Sequence, residues 1–221
     1  DIVVTMAGDM GDELFGGYPK YLNLYHSTEK PKTWKDLLRL WMQRIKKGSY
    51  PIANDPVDDE ILVKELEECY GEDLWNPEDP TASYMALDCV AQVPEQFLIR
   101  NDSYGMSYSM EGRFPLASKQ FMQYCLNIKS EYKFQGNDMK SLIKKSYGKE
   151  LPEYLLYKQK TGWTVPIGYW LIDEVDEKLN DVYDKAIGKD RLKLVRRSQK
   201  TGKSLLPEWQ VKNWKEIYKI K

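Results

Sequence analysis

One short run of β-branched residues sets the first constraint on this chain. Ile2, Val3, Val4 and Thr5 read as a buried strand at the start of a sequence whose other apolar residues recur mainly at helical spacing. A lone strand leaves its hydrogen-bonding ladder unpaired and its faces uncovered. Its neighbours are therefore expected from helices of this chain and from strands outside these residues. The first residue is Asp rather than Met and the chain enters the strand directly, which reads as a piece of a larger domain. The strand gives way at once to a polar glycine turn, residues 7–13, ahead of the pair Gly16 and Gly17. In open α/β sheets ligands bind in the crevice beyond the carboxyl ends of strands, so this turn stands where chemistry is expected. An ordinary strand-to-helix turn with Asp12 as a helix cap is the other reading of the same spacing.

Composition narrows the class of function. A chain of 221 residues with 42% hydrophobic content can bury a core and is neither disordered nor fibrous. Its 33 basic and 34 acidic residues nearly cancel, which argues against nucleic acid or a membrane as partner. Charge is unevenly placed: residues 55–79 hold eleven acids and one lysine, and residues 185–221 hold twelve Lys/Arg and three acids. Both stretches read as solvated helix faces. Cys69, Cys89 and Cys125 are odd in number and widely spaced, which argues against a disulfide framework or a zinc site and for a reducing compartment. No apolar run approaches the roughly 18 residues of a membrane span and no leader pattern is present, so the expected location is the cytoplasm.

Helical periodicity organises the rest of the chain. A short helix is expected over 20–27, containing the lone His26, which reads as a packing or surface residue rather than a ligand. Trp34, Leu37, Leu38, Trp41, Met42 and Ile45 form the apolar stripe of a helix over 33–47. Asp55-Pro56 starts and Gly71 stops a helix over 56–70, with Ile61, Leu62, Leu66 and Cys69 expected on its buried side. A helix over 83–92 is expected to break at Pro94 and restart towards Asp102. Further helices are read over 118–126, 138–147, 174–187 and 207–220. Arg100 lies close to three helical turns before Glu111, so the two share a face if the helix continues, although Gly105 weakens that continuation. Glu111 and Arg113 precede Pro115 and are delivered to a turn, where they either bind polar groups of a substrate or pin the turn as a pair.

Three stretches resemble the synthetase domain of glutamine-hydrolysing asparagine synthetases, relatives of the ATP-pyrophosphatase fold. Gly8, Asp12, Glu13, Phe15, Gly16, Gly17 and Tyr18 match the family's S-G-E-G-x-D-E-x-F-G-G-Y, with Ala7 for Ser, Asp9 for Glu and Met10 for Gly. The segment 94–116 is similar to L-P-D-x-x-L-x-[KR]-x-D followed by M-S-x-x-x-x-E-x-R-x-P-F-L-D, with Glu111, Arg113 and Pro115 in register and Ser118 where Asp is usual. The segment 151–171 matches L-P-x-x-I-L-x-R-x-K-x-G-F-x-V-P-I-x-x-W-L, with Lys158 for Arg and Trp163 for Phe. Residues 1–23 and 92–187 carry the resemblance; the 34–80 segment and the basic end do not.

The resemblance implies a fold class: the mostly α-helical portion of an α/β adenine nucleotide α-hydrolase-like (ATP-pyrophosphatase) domain, one N-terminal strand followed by a helical bundle. It implies a carboxylate, aspartate first, adenylated by ATP with Mg²⁺ and then attacked by ammonia from a glutaminase domain or subunit. It assigns Asp9 and Lys160 to catalysis, Ala7 and Gly8 to ATP, Asp12 to the metal, and Arg100, Glu111 and Arg113 to the substrate. Lys160 also stands out by its setting, a loop stiffened by Gly162 and Pro166 between aromatic residues. The family's phosphate-binding loop, S-G-G-x-D-S, is absent from the 221 residues, as is a glutaminase nucleophile at the N-terminus. The expected reading is the C-terminal part of a synthetase domain, inactive by itself. Two other readings stand beside it: an adenylating relative with another acceptor, of β-lactam synthetase or peptide-modifying type, and a noncatalytic helical interaction module.

Overall fold

The opening run forms β1 (Val4–Met6), and in the computed structural model, which describes residues 2–48 and 59–158, this strand finds a partner within the chain. It pairs in parallel with β2 (Glu111–Arg113), in the register Val4 to Glu111, Thr5 to Gly112 and Met6 to Arg113. The ladder continues at both ends, where Glu111 N–H donates to the Val3 carbonyl at 2.8 Å and Ala7 N–H to the Arg113 carbonyl at 3.0 Å. Two expectations change. The neighbours of β1 do not all lie outside these residues, and Glu111 and Arg113 sit on a strand rather than at a turn. A three-residue strand with a central glycine has no β-branched signature, and its pairing is long-range, so local pattern does not reveal it. Nor is β1 buried: Val4 is 41% and Met6 74% exposed.

Helices make up most of the remainder. After α1 (Gly11–Phe15), Pro19 opens α2 (Pro19–His26) from the first-turn position that tolerates its missing N–H. His26 is exposed and its Nε2 lies 2.8 Å from the Gly136 carbonyl, a packing role. On α3 (Trp34–Gly48) the stripe residues Trp34, Leu37, Leu38, Trp41 and Met42 are all buried, as periodicity predicts, and the Ile45 side chain lies outside the described ones. The face of α4 (Asp59–Cys69) differs from expectation. Val63 is fully buried, Leu62 and Leu66 are half-buried, and Ile61 and Cys69 are exposed. The helix is turned so that Val63 and Leu66, three apart, face inward.

Next comes the departure from ideal geometry. Asp79 caps α5 (Pro80–Leu87) by accepting the Ala82 N–H at 3.0 Å. Instead of breaking at Pro94, the chain widens into a π-helical segment, Asp88–Leu98, and passes without interruption into α6 (Ile99–Met106). The Ile99 N–H reaches back five residues to the Pro94 carbonyl. The wider turn accommodates the proline ring that would clash with the preceding turn of an α-helix. Beyond α6 the chain turns back: Met110 N–H bonds the Gly105 carbonyl at 2.9 Å, and a Cβ on Gly105 would stand 2.6 Å from the Met110 carbonyl oxygen. Helix therefore ends before Glu111, and Arg100 and Glu111 do not share a helical face.

α7 (Lys119–Leu126) and α8 (Ser130–Lys133) lead to a two-stranded antiparallel ribbon, β3 (Phe134–Gln135) with β4 (Asp138–Met139). The helix expected from 138 thus begins later, as α9 (Ser141–Tyr147), because Asp138 and Met139 belong to the ribbon. α10 (Glu153–Tyr157) closes the described part. By contacts the chain divides into one unit of Asp1–Gln43 with Val57–Lys160 and another of Arg44–Pro56 with Thr161–Lys221. The helices expected over 174–187 and 207–220 lie outside the described residues, as does Lys160. No helix of the described residues is long and apolar enough to cross a membrane. The three cysteines are free thiols, Cys69 exposed and the other two buried.

Two features dominate the interior of the first unit. An apolar cluster joins Met10, Leu14 and Phe15 to Cys89, Val93 and Cys125, with Phe97, Phe121 and Leu142 packed on it. Beside it the fully buried Asp88 accepts hydrogen bonds from Tyr21 Oη at 2.6 Å and Trp41 Nε1 at 2.7 Å, and pairs with Lys20 Nζ at 2.6 Å. A buried carboxylate is tolerable only with such a full set of donors. Asp88→Ala is expected to orphan the buried Tyr21 Oη and Trp41 Nε1, leaving Lys20 Nζ its bond to Gln92 Oε1 at 3.1 Å, and to cost about 3–5 kcal/mol. Urea unfolding of Asp88→Ala against the parent measures it.

Lys133 is the opposite case, a fully buried ammonium whose Nζ has no hydrogen-bond partner among the described residues. Burial pushes its pKa down to about 8, against the pull of Asp79. The unfolded chain releases this proton near 10.5, so between about pH 8 and 10.5 the unfolded state holds more protons and stability rises with pH. Below pH 8 the full penalty is present. Asp79 keeps its own partners without Lys133, since Ala82 N–H, Ser130 N–H and Ser130 Oγ all bond it. Lys133→Met is expected to add about 1–3 kcal/mol at pH 7 and to remove the rise above pH 8. Denaturant midpoints at pH 7 and pH 9.5 decide it; an unchanged pH slope would rule the account out.

Candidate functional site

The site begins where β1 ends. Ala7 makes the last ladder bond, and the chain then reverses through Gly8, Asp9 and Met10, with Gly11 N–H bonding the Gly8 carbonyl at 3.2 Å. Met10 takes φ 74°, a left-handed conformation that favours glycine, at the position where the motif has Gly. Its side chain is buried in the apolar cluster, so packing offsets the strain. The turn, α1, Tyr18 and Phe97 enclose a recess of about 290 Å³. At Gly8 an added Cβ would meet nothing within 4 Å, so bare backbone faces open space there.

Ala7, Gly8, Asp9 and Asp12, four of the residues singled out by sequence, line this one recess. Asp9 is half-buried and its Oδ2 accepts a hydrogen bond from Asn101 Nδ2 at 3.0 Å. Asp12 forms an ion pair with Lys140 Nζ at 2.5 Å. The glycine pair makes room for it: a Cβ on Gly17 would fall onto the Asp12 carboxylate and the Lys140 side chain. Gly16 has φ 73° and its missing Cβ leaves space for the Phe134 ring, 2.5 Å from where that carbon would stand. Both motif glycines thus have steric reasons.

Glu13 and Tyr18 form the inner wall; both match the motif and Glu13 ends the turn expected to carry chemistry, but sequence reasoning assigned neither a role. Glu13 is buried. Burial above all, with a smaller push from the Asp12 and Asp88 charges, holds its carboxyl above the ordinary range, against hydrogen bonds from its own backbone and from Tyr18. Burial and the Glu13 charge likewise push the Tyr18 phenol well up. Tyr18 is steadied from behind: Lys20 Nζ lies 5.2 Å from its ring centre and 5.1 Å from that of Tyr21, while pairing with Asp88. A buried acid one residue after Asp12 and a tyrosine after the glycine pair were in the motif. The partners of the recess acids, Asn101 and Lys140, left no local signal.

The remaining predicted residues are not gathered in the recess. The Arg100 guanidinium lies 5.3 Å from the ring centre of Phe97, itself a recess residue, and does not line the recess. Glu111 and Arg113 bond each other, Arg113 Nε to Glu111 Oε1 at 3.2 Å, and both are exposed. Of the two readings of this pair, mutual pinning is what the geometry contains; Glu111 stands opposite Val4, at the far end of β1 from the recess. Among the described residues no three His, Cys, Asp or Glu side chains cluster as a metal cage. Magnesium bound mainly by substrate phosphates needs only one or two carboxylates, and Asp12, in the recess, fits that pattern. The bare Gly8 backbone fits a nucleotide's close approach.

The chain is similar to asparagine synthetase [glutamine-hydrolyzing] 1 of Bacillus subtilis (strain 168), 25% identical over 216 residues covering 84% of this chain and 34% of the relative. It is 27% identical over 172 residues to asparagine synthetase [glutamine-hydrolyzing] 3 of the same organism, covering 74% of this chain and 26% of that one. A probable asparagine synthetase [glutamine-hydrolyzing] of Schizosaccharomyces pombe (strain 972 / ATCC 24843) is 27% identical over 144 residues, 59% of this chain and 25% of the relative. The chain thus spans about a third or less of the length of these relatives. No solved structure matches it. The asparagine synthase family model matches residues 1–215, and with the motif glycines, the acids and the strand that carries them in one place, the chain belongs to the asparagine synthase family.

Proposed function

We propose that this chain is the C-terminal part of the synthetase domain of an ATP-dependent carbon–nitrogen ligase, which activates aspartate and transfers ammonia to it to form asparagine. The observation that carries the proposal is the recess at the carboxyl end of the parallel pair, where bare Gly8 backbone adjoins the Asp9 and Asp12 carboxylates. Parallel pairing and a site at the strand ends also support the nucleotide-binding α/β fold, whose other strands would cover exposed β1. Bound ATP with magnesium would supply the adenylyl group that turns the substrate carboxylate into a good acyl donor.

Within that reading the chain's own groups have separate tasks. Ala7 and Gly8 let the nucleotide approach the backbone, and Asp12 gives up its pairing with Lys140 to hold the metal. Lys160, on the strength of its motif, stabilises the negative charge that grows on pyrophosphate. Asp9 takes the proton of the incoming amine. Arg100, Glu111 and Arg113 contribute to substrate recognition only if their present pairings are exchanged for substrate. The phosphate cradle comes from sequence outside these residues, so the chain by itself gives no turnover. Ammonia comes from a glutaminase domain or subunit, and the expected location is the cytoplasm. The Asp9 side chain, one methylene shorter than the motif's Glu, leaves room for a bulkier amine and keeps a second reading in view, an adenylating relative with another acceptor.

Pyrophosphate release by the complete protein, assayed with aspartate and with other carboxylates, tests the proposal. Aspartate-dependent release with asparagine as product supports it. A different carboxylate or amine preference moves the assignment to the second reading, and no release with any carboxylate removes the ligase altogether. Lys160→Ala is expected to lower pyrophosphate release on the order of a hundredfold or more. Full activity in that variant would take Lys160 out of the mechanism.

A further inference from the structure

The recess contains a pairing that the motif does not explain. Asp9, one methylene shorter than the glutamate of the resemblance, is bonded through Oδ2 by the side-chain amide of Asn101 at 3.0 Å. The two residues lie on elements far apart in sequence. Asn101 stands on the first turn of α6, the continuation of the long helical run from Pro80, and α6 packs against both that run and β2. A rigid helix therefore delivers the donor, while the acceptor lies on a turn held from the other side by buried Met10.

We propose that Asn101 is the positioning residue of Asp9; this rests on the reading of Asp9 as the group that receives the amine's proton. A carboxylate on a short side chain can still rotate, and each rotation moves its basic oxygen. The Asn101 amide holds Oδ2, and among the described residues Oδ1 accepts no hydrogen bond, so Oδ1 is the oxygen presented to the amine. In the transfer step the amine lone pair forms the new C–N bond to the acyl carbon. The C–O bond to the phosphate breaks, AMP leaves with that electron pair, and the proton released from nitrogen goes to Oδ1. Asn101 itself gives and receives no proton. The shorter acid and its amide form a matched set: what is lost in reach is recovered in direction.

The two half-reactions separate this role from a structural one. In the complete protein, carboxylate-dependent pyrophosphate release in a single turnover without amine reports activation, and amide formation with ammonium reports transfer. Asn101→Ala, at a half-exposed helical position where alanine is a better helix former, is expected to leave the pyrophosphate burst within about twofold. Amide formation should fall on the order of tenfold to a hundredfold, the size expected when a reacting group is misplaced. In an Asp9→Ala background the same substitution should cause no further loss. Asn101→Gln, which keeps the donor, should recover part of the transfer rate. Unchanged amide formation in Asn101→Ala, an equal loss in the Asp9→Ala background, or a parallel loss of the burst would overturn the assignment. Absence of any burst in the parent protein would instead overturn the proposed function, and the role of Asn101 with it.

Discussion

The arrangement depends on one buried charge. Asp88 sits where α5 widens into the π-helical segment, and its carboxylate ties together Tyr21 of α2, Trp41 of α3 and Lys20. Lys20 and Tyr21 both lie on α2, so two helices, α2 and α3, are thereby fixed to a segment more than forty residues further along the chain. A carboxylate taken from water costs several kcal/mol unless its donors are complete, so the same interaction that locates the helices penalises every packing in which one donor is elsewhere. The influence reaches the recess: Lys20, held by Asp88, lies against the ring of Tyr18, and Tyr18 bonds the buried Glu13.

Around that point the site is shaped by sterics more than by charge. Gly16 and Gly17 are required by the Phe134 ring and by the Asp12 to Lys140 ion pair, which occupy the volume a side chain would take. Met10 shows how such a requirement is relaxed. It keeps the left-handed backbone of a glycine and offsets the strain, on the order of 1–3 kcal/mol, by burying a long apolar side chain in the core. Gly8 is different in kind: a Cβ there would meet nothing within 4 Å, so no neighbour in the described residues requires its bareness.

Much of this was legible in the chain. The apolar stripe of α3 and the turn after β1 come from rules that act over a few residues. Readings failed where distance in sequence or a compensating distortion intervened. Glu111 to Arg113 lacked any strand signature because its pairing partner is β1. Pro94 did not break its helix because the backbone widened around it, from four-residue to five-residue hydrogen-bond spacing. The buried face of α4 centres on Val63 because which residues of a weakly patterned helix turn inward is set by what they pack on.

Sequence alone determined the family, the helical character, and the four recess residues that share one short turn, because local backbone geometry holds residues 7–12 together whatever surrounds them. Tertiary structure alone decided the partners of those residues. That Asp9 is held by Asn101 and Asp12 by Lys140 depends on contacts between elements remote in the chain. Glu111 and Arg113 meet on one side of a strand that exists through its pairing with β1, so even this close pair is a product of long-range contact. Such contacts are selected by the packing of the whole unit, by shape and by the cost of leaving a buried charge unpaired, and no periodicity records them.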